Sequence, residues 1–274
     1  MPELPEVETI AAGLRSRVVG LVIRRVDVSL PKLLRATTAA DLESLAGAAV
    51  TGVRRRGKIL IFECGPRNLL FHLKMTGRFL WVGPGAPSDA HTHLVMTFAG
   101  VPGELRFRDV RKFGFCRCLA AEAVDACPEV GPLGPEPLEI SRKAFEDRLR
   151  GRRGRLKSLL LNQEFLAGIG NIYADEMLFA ARLHPLAPAL RLKPAERRRL
   201  WVAMRAVLRR AVAAGGSSIR DYRGLEGEFG DFQTRHRVYG RAGRPCRRCG
   251  AAVRRTAVGG RSTFFCPRCQ RTRL

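Results

Sequence analysis

The sequence predicts a multidomain α+β protein. It comprises an N-terminal helix plus an antiparallel β-sandwich, then a helical domain with a helix–two-turn–helix motif, and a C-terminal four-cysteine finger. Short β-type segments crowd residues 22–119, the apolar period turns helical beyond a Pro/Gly-rich segment at 129–137, and two cysteine pairs lie near the end of the chain. These changes of pattern predict domains at 1–132, 133–224 and 225–274.

Composition points to a polyanionic partner. The 274 residues carry 49 Lys and Arg against 25 Asp and Glu, a net charge of +24, which favours nucleic acid ahead of a membrane. Most of the excess is arginine, which suits bidentate phosphate contacts, although a GC-rich genome would also enrich it. No apolar run reaches the roughly 18 residues of a membrane span, and acidic residues replace a signal-peptide pattern at the start. We therefore expect a soluble cytosolic protein.

The N-terminal stretch predicts a helix that begins near Pro5, because a proline suits the first turn and apolar residues follow at helical spacing. A small residue at position 2 usually permits removal of the initiator methionine, which would leave Pro2 as a free secondary amine beside Glu3. An α-amino group titrates near about 8, below lysine at about 10.4, and its iminium would be a good electron sink. Taken alone, the octapeptide favours the plainer interpretation of a processed terminus with a solvated Glu3.

The middle of the chain divides into strands and helices. Short β-branched or aromatic runs separated by turn residues predict an antiparallel sandwich; they lie at 22–30, 50–56, 58–63, 69–73, 78–82, 94–98, 105–107 and 113–119. Helical periodicity predicts helices at 142–150, 156–162, 171–183 and 194–214. The glycine-rich polar segment 215–230 is predicted to be a mobile loop.

The strongest isolated signal is a pair of Cys-x-x-Cys motifs separated by sixteen residues: Cys246, Cys249, Cys266 and Cys269. This spacing matches a tetrahedral four-thiolate zinc site, which has no open position and is therefore structural. Two disulfides are the alternative, and they do not suit a cytosolic chain. Several arginines lie between and beside the two cysteine pairs, in a segment predicted to form a β-hairpin ribbon, and they favour contact with phosphate groups. The other cysteines are scattered and predicted to be reduced thiols: Cys64, Cys116, Cys118 and Cys127.

Two further segments have both a functional and a plain interpretation. Residues 156–176 predict two helices joined by glycine turns, with Asn171 capping the second helix, an anion site at its amides and Lys157 as a phosphate contact; an ordinary helical hairpin is the alternative. Arg111 and Phe113, together with Met75 on another loop, could enter a duplex as a wedge. Ordinary core positions are the alternative for Phe113 and Met75.

Taken together, these segments closely resemble the bacterial formamidopyrimidine-DNA glycosylase family, from residue 2 to about residue 270. The opening Pro2-Glu3-Leu4-Pro5-Glu6-Val7-Glu8 matches the hallmark start of that family. The remaining matches follow in the family's order. They are Lys58, His72-Leu73-x-Met75-x-Gly77, Asp109-x-Arg111-x-Phe113-Gly114, Gly168-Ile169-Gly170-Asn171-Ile172-Tyr173 and the four cysteines.

The resemblance implies base-excision repair of oxidised purines in double-stranded DNA that lies in a basic cleft between the domains. The damaged base is flipped out of the stack, Met75, Arg111 and Phe113 fill the void, and segment 215–230 closes over the base. Positions matching DNA contacts are His91, Arg111, Arg152, Lys157 and Asn171. One structural Zn²⁺ and a monomer in the bacterial cytoplasm, associated with the nucleoid, complete the expectation.

The resemblance also implies the chemistry. Pro2 attacks the sugar C1′ and expels the base, Glu3 acts as acid and base, and Lys58 assists the elimination that follows. Arg261 matches the position assigned to the last elimination step.

Three positions depart from the family pattern. Val110 replaces a proline, which is expected to leave its loop less rigid, and Lys112 replaces an arginine. Thr76 occupies a variable position that can lie near the lesion in relatives, and so bears on lesion preference.

Two other functions are compatible with the sequence. One is the endonuclease VIII type, which applies the same chemistry to oxidised pyrimidines, although its members tend to begin Pro-Glu-Gly. The other is a non-catalytic DNA-binding protein, against which the presence of Pro2, Glu3 and Lys58 argues.

Overall fold

The computed structural model describes residues 1–218, 225, 227 and 229–271. The chain forms two compact units, one of residues 1–131 with 215–231 and the other of 132–214 with 232–274. From the sequence, residues 215–224 are expected with the helices and residues 225–231 with the cysteines. The predicted mobility of segment 215–230 falls largely on residues 219–224, 226 and 228, which lie outside the described part of the chain.

The first unit contains helix α1 and two four-stranded antiparallel sheets. One sheet has the order β1-β6-β7-β5 and the other β2-β3-β4-β8. The elements are α1 (Leu4–Val18), β1 (Ile23–Val28), α2 (Ala39–Glu43), β2 (Gly52–Arg56), β3 (Ile59–Cys64), β4 (Arg67–His72), β5 (Arg78–Val82), β6 (Thr92–Phe98), β7 (Glu104–Arg108) and β8 (Phe115–Ala120). The predicted antiparallel sandwich is confirmed.

Aromatic rings from both sheets form the centre of this sandwich. Phe62 and Phe71 belong to one sheet and Phe79 and Phe107 to the other, and the Phe71 and Phe79 ring centroids lie 4.9 Å apart. Edge-to-face pairs of this kind add about 1 kcal/mol to the apolar burial. The apolar stripe of α1 joins the same core, so the start of the chain is held firmly against the sandwich.

The second unit is helical and ends in a β-hairpin. Its elements are α3 (Arg142–Leu149), α4 (Leu156–Leu161), α5 (Asn171–Ala180), α6 (Pro194–Ala213), β9 (Arg254–Val258) and β10 (Arg261–Phe265). Strands β9 and β10 pair antiparallel; we call residues 254–265 the zinc hairpin. Within the described residues, no helix combines the length and apolar character of a membrane span.

The connection between α4 and α5 makes the predicted two turns. The Gln163 side chain holds the second turn, because its Nε2 donates to the Ile169 carbonyl (2.9 Å) and its Oε1 accepts from the Gly168 amide (3.0 Å). Gly168 takes a φ of +84°, which glycine tolerates. The expected cap of α5 was wrong: the N-cap is the extended Gly170, and Asn171 is already the first helical residue.

Candidate active site and nucleic-acid interface

The first turn of α1 fixes the two N-terminal residues predicted to carry the chemistry. Pro2 and Glu3 are buried, and Glu3 is the N-cap of the helix. The Glu3 amide donates to Glu6 Oε2 (2.8 Å), while Glu6 Oε1 accepts from the Ser217 amide (2.7 Å). Removal of Met1 would leave the Pro2 nitrogen as a free secondary amine at this end of the helix, beside the Glu3 side chain.

Lys58 lies on the tight β2–β3 turn. Gly57 adopts a φ of +57° and Lys58 follows it with only 8% of its surface exposed. Arg55 braces this turn, donating to the Gly57 carbonyl (2.9 Å) and pairing with Glu8 of α1 (2.9 Å). The hairpin that carries Lys58 is thus tied to the helix that carries Glu3.

The charges around this turn shape two neighbouring side chains. Burial acts to raise the pKa of Glu8, but hydrogen bonds and charge from Arg15 and Arg55 lower it overall, so Glu8 stays ionised. Burial, followed by the charges of Lys74, Lys58 and Arg35, lowers the pKa of His72 to about 3. His72 is therefore neutral at pH 7, and its Nδ1 accepts from the Lys74 amide (3.0 Å).

The predicted wedge residues are surface residues, not core residues. Met75 is 40% exposed in the loop of residues 73–77, and Phe113 is 50% exposed in the loop of residues 109–114. We call these the Met75 loop and the Arg111 loop. The Arg111 guanidinium carbon lies 4.8 Å from the Phe113 ring centroid. Since a large exposed side chain gains nothing from core packing, the arrangement favours the functional interpretation.

Asp109 shapes the Arg111 loop. Its carboxylate accepts from the Arg111 amide (3.2 Å) and from the Gly114 amide (2.7 Å), and its own amide donates to the His91 carbonyl (2.9 Å). Val110 was expected to leave the loop less rigid than proline would. The structure shows that Asp109 supplies restraint from inside the loop, while Val110 is exposed. The same contacts place His91 beside the loop.

Lys157 requires a correction. Lys157 is predicted from the sequence to contact phosphate, but its side chain is 0% exposed and its Nζ lies 2.7 Å from Asp175 Oδ1. The amine also donates to the Ser262 carbonyl (3.0 Å) and to Thr263 Oγ1 (2.8 Å). A buried ammonium needs such partners. Lys157 therefore holds the zinc hairpin against α4 and α5.

Asn171 and Asp175 complete this attachment. Asn171 Nδ2 donates to the Ser262 carbonyl (2.9 Å), and Asp175 Oδ2 accepts from the Phe264 amide (2.9 Å). Burial raises the pKa of Asp175 to about 7, although the charge of Lys157 acts to lower it. Arg261 begins β10 at the exposed tip of the zinc hairpin, and Arg152 is exposed beyond α3.

The four cysteines form the predicted metal site. Their sulfurs all lie within 4.8 Å of one another, with Cys249–Cys266 at 3.5 Å and Cys246–Cys269 at 4.0 Å. Four thiolates at about 2.3 Å from a zinc ion have sulfur–sulfur separations of about 3.8 Å, so the donor set fits tetrahedral Zn²⁺. All eight cysteines of the chain are free of disulfides.

Sequence reasoning missed three buried carboxylates. Glu6 accepts from the amides of Glu3 and Ser217, and Asp175 pairs with Lys157. Glu176 accepts from the amides of residues 237–239 at 2.9–3.0 Å. Adjacent acidic residues on an otherwise apolar helix were the available signal for Asp175 and Glu176. The partners themselves are remote in sequence and leave no local pattern.

Comparison with known proteins covers nearly the whole chain. Three family models match in order: the formamidopyrimidine-DNA glycosylase N-terminal domain over residues 1–116, its H2TH domain over 133–223, and a zinc finger found in FPG and IleRS over 243–272. A formamidopyrimidine-DNA glycosylase of Symbiobacterium thermophilum is 47% identical and covers 98% of this chain and 89% of its own length. The formamidopyrimidine-DNA glycosylase of Geobacillus kaustophilus is 44% identical, and the match covers 99% of this chain and 100% of its own length.

Solved structures agree. A mutant Lactococcus lactis FPG in complex with Fapy-dG-containing DNA superposes with a TM-score of 0.93 at 38% identity, covering 99% of this chain and all of its own. The Lactococcus lactis Fpg in complex with abasic-site DNA superposes with a TM-score of 0.92 at 38% identity, and the match covers 98% of this chain and 100% of that one. The chain belongs to the formamidopyrimidine-DNA glycosylase family of base-excision repair enzymes.

Proposed function

We propose that this chain excises oxidised purines, 8-oxoguanine and formamidopyrimidines, from duplex DNA and then cleaves the abasic strand by β,δ-elimination. The observation that carries the proposal is the buried Pro2–Glu3 pair at the positive end of α1, held by Glu6. Relatives at 38% identity bind Fapy-dG and abasic DNA, which are the substrate and the intermediate of this reaction.

In the proposed mechanism, the Pro2 nitrogen forms a bond to the sugar C1′ as the C1′–base bond breaks, and the proton that the nitrogen loses passes through water to the departing base. Glu3 supplies and removes the protons that open the sugar ring, and the product is an iminium. The iminium acidifies the C2′ proton, whose loss expels the 3′ phosphate with help from Lys58. A second elimination expels the 5′ phosphate, and Arg261 assists that step. Each step needs only groups of this chain and water.

The remaining assignments concern binding. Met75, Arg111 and Phe113 fill the space left by the flipped base, since a base inside a duplex is unreachable. His91, Arg152 and Asn171 contact the DNA backbone, and Lys157 acts by holding the zinc hairpin. Zinc on the four cysteines is structural, because no coordination position is open. The enzyme is a monomer, and in a bacterium it would act in the cytoplasm at the nucleoid.

Glu3→Gln tests the chemical assignment. Gln at the N-cap keeps the size of the side chain but cannot act as an acid or base, so we expect base excision to fall by at least about a hundredfold. Cutting of DNA with a preformed abasic site should fall much less. The matched control is Glu43→Gln, an exposed residue of α2. Equal loss of both activities in Glu3→Gln would contradict the role given to Glu3.

Lesion class is tested by cutting rates on an 8-oxoguanine duplex and a thymine-glycol duplex. Faster cutting of 8-oxoguanine is expected. Faster cutting of thymine glycol would support the endonuclease VIII type, and binding without any cutting would support a non-catalytic role.

A further inference from the structure

Thr76 joins the two loops that carry the proposed wedge. Its hydroxyl donates to Asp109 Oδ1 and accepts from the Arg111 amide (3.1 Å). Thr76 follows Met75 directly, whereas Asp109 and Arg111 belong to the other loop. A single hydroxyl therefore links the Met75 loop to the Arg111 loop, using its only donor proton.

Asp109 is a firm anchor for this link. It is 1% exposed, its carboxylate also receives the Arg111 and Gly114 amides, and its carbonyl lies 2.9 Å from His93 Nε2. A buried carboxylate with this many donors is costly to displace. The position of Thr76 is consequently set by the interior of the Arg111 loop.

Gly77 and Gly114, one in each loop, both lie against the ring of Phe107. A Cβ added at Gly77 would lie 2.8 Å from Phe107 Cζ, and one added at Gly114 would lie 2.7 Å from the same atom. The Gly77 amide donates to the Leu73 carbonyl (2.9 Å), which closes the Met75 loop. With a shared ring beneath them and a shared carboxylate between them, the loops have little freedom to move separately.

We propose that Thr76 is a positioning residue that makes Met75, Arg111 and Phe113 one two-pronged wedge, so that the three side chains enter the duplex together. The proposal rests on the wedge assignment made above. It gives Thr76 a role in opening the duplex for any lesion instead of in reading the damaged base, because its hydroxyl already donates to Asp109 and accepts from the Arg111 amide.

Thr76→Val removes the hydroxyl at nearly constant shape, and Thr76→Ser restores it. The measurement is stopped-flow fluorescence of 2-aminopurine placed beside an 8-oxoguanine, which reports unstacking. We expect Thr76→Val to slow the unstacking step and base excision by about tenfold, roughly the worth of one or two net hydrogen bonds, and Thr76→Ser to restore both to within about twofold. Cutting of single-stranded abasic DNA, which has no void to fill, should not change.

Two comparisons separate the possible failures. Phe113→Ala and Met75→Ala should each slow unstacking; if neither does, the wedge assignment is wrong. If they do and Thr76→Val does not, the coupling through Thr76 is wrong.

A double variant gives a second test. In a Met75→Ala background, Thr76→Val should slow unstacking much less than it does in the parent, since one part of the wedge is already missing; full additivity of the two effects would overturn the proposal. A Thr76→Val effect that differs strongly between 8-oxoguanine and a formamidopyrimidine would also overturn it. Thermal unfolding of each variant checks that the sandwich is intact.

Discussion

Two buried aspartates organise the two surfaces assigned to DNA, and they do so differently. Asp109 in the first unit is surrounded by neutral donors, namely two backbone amides and the Thr76 hydroxyl. Asp175 in the second unit faces the ammonium of Lys157, and the four-cysteine site further stabilises the same unit. One carboxylate shapes exposed loops, while the other attaches a hairpin to two helices.

The difference follows from what each surface has to do. Hydrogen bonds from neutral groups contribute about 1 kcal/mol each, so the contacts of Asp109 hold the loop through their number. A buried ion pair is costly to break from one side, at about 3–5 kcal/mol, and a structural metal is costlier still. The Arg111 loop is therefore held by several weaker contacts, and the zinc hairpin by fewer and stronger ones.

Loss of the metal should have the largest effect on this contrast. Cys249→Ser removes one of four ligands, so zinc should be released and DNA affinity should fall by at least about a hundredfold, because metal binding supplies folding free energy to such modules. Zinc content and fluorescence anisotropy with a lesion duplex measure the two quantities. Cys127→Ser, a buried thiol of the first unit, is the control and should keep the metal. Full affinity in Cys249→Ser would show that the hairpin does not need the site.

Breaking the Lys157–Asp175 ion pair should have the second-largest effect. Lys157→Met leaves Asp175 buried without its cation, and we expect the free energy of unfolding to fall by about 3 kcal/mol in urea titrations. The double change Lys157→Met with Asp175→Leu removes both charges and should recover most of that loss. A single variant as stable as the parent would mean that the pair does not hold the hairpin.

Asp109→Asn should have a smaller and more local effect. The amide group keeps the shape but replaces one acceptor oxygen with a donor, so one loop contact is lost, at a cost of about 1–2 kcal/mol. We expect hydrogen exchange at the Arg111 and Gly114 amides to accelerate by about tenfold while the global unfolding midpoint shifts little. A global loss as large as that of Lys157→Met would remove the contrast between the two aspartates.

The effect that is smallest at pH 7 concerns acid. Burial first, with the charges of Arg247 and Arg241, lowers the pKa of His236 to about 4, although a hydrogen bond with Tyr239 acts to raise it. The unfolded chain takes up a proton near pH 6.5 and the folded chain only near pH 4, so stability is lost as pH falls between these values. At about 1.36 kcal/mol per pKa unit the loss reaches about 3 kcal/mol at pH 4, and it is close to zero at pH 7. His236→Phe keeps the ring contacts with Phe232 and Tyr239 and should flatten this slope; an unchanged slope would exclude His236 as its source.

What the sequence could predict depended on how local the signal is. The cysteine spacing, the two glycine turns and the strands are encoded within a few residues, and all were found. Strand limits moved by at most two residues and the end of α5 by three, and among the α-helices of the described residues only the five-residue α2 was not predicted. The role of Lys157 was misjudged because its hairpin partners lie 105 and 106 residues away. The cap of α5 shifted by one residue because Gly170 can take the extended conformation itself. The link between Thr76 and Asp109 joins two segments 33 residues apart and has no sequence pattern.

Borohydride trapping tests the central claim most directly. The substrate is a duplex with one 8-oxoguanine opposite cytosine, and reduction converts the iminium into a stable protein–DNA crosslink. The account predicts a crosslink that peptide mapping places at Pro2 and that Pro2→Gly greatly weakens while DNA binding is retained. A crosslink at Lys58, or none from zinc-loaded protein that has lost Met1, would contradict it.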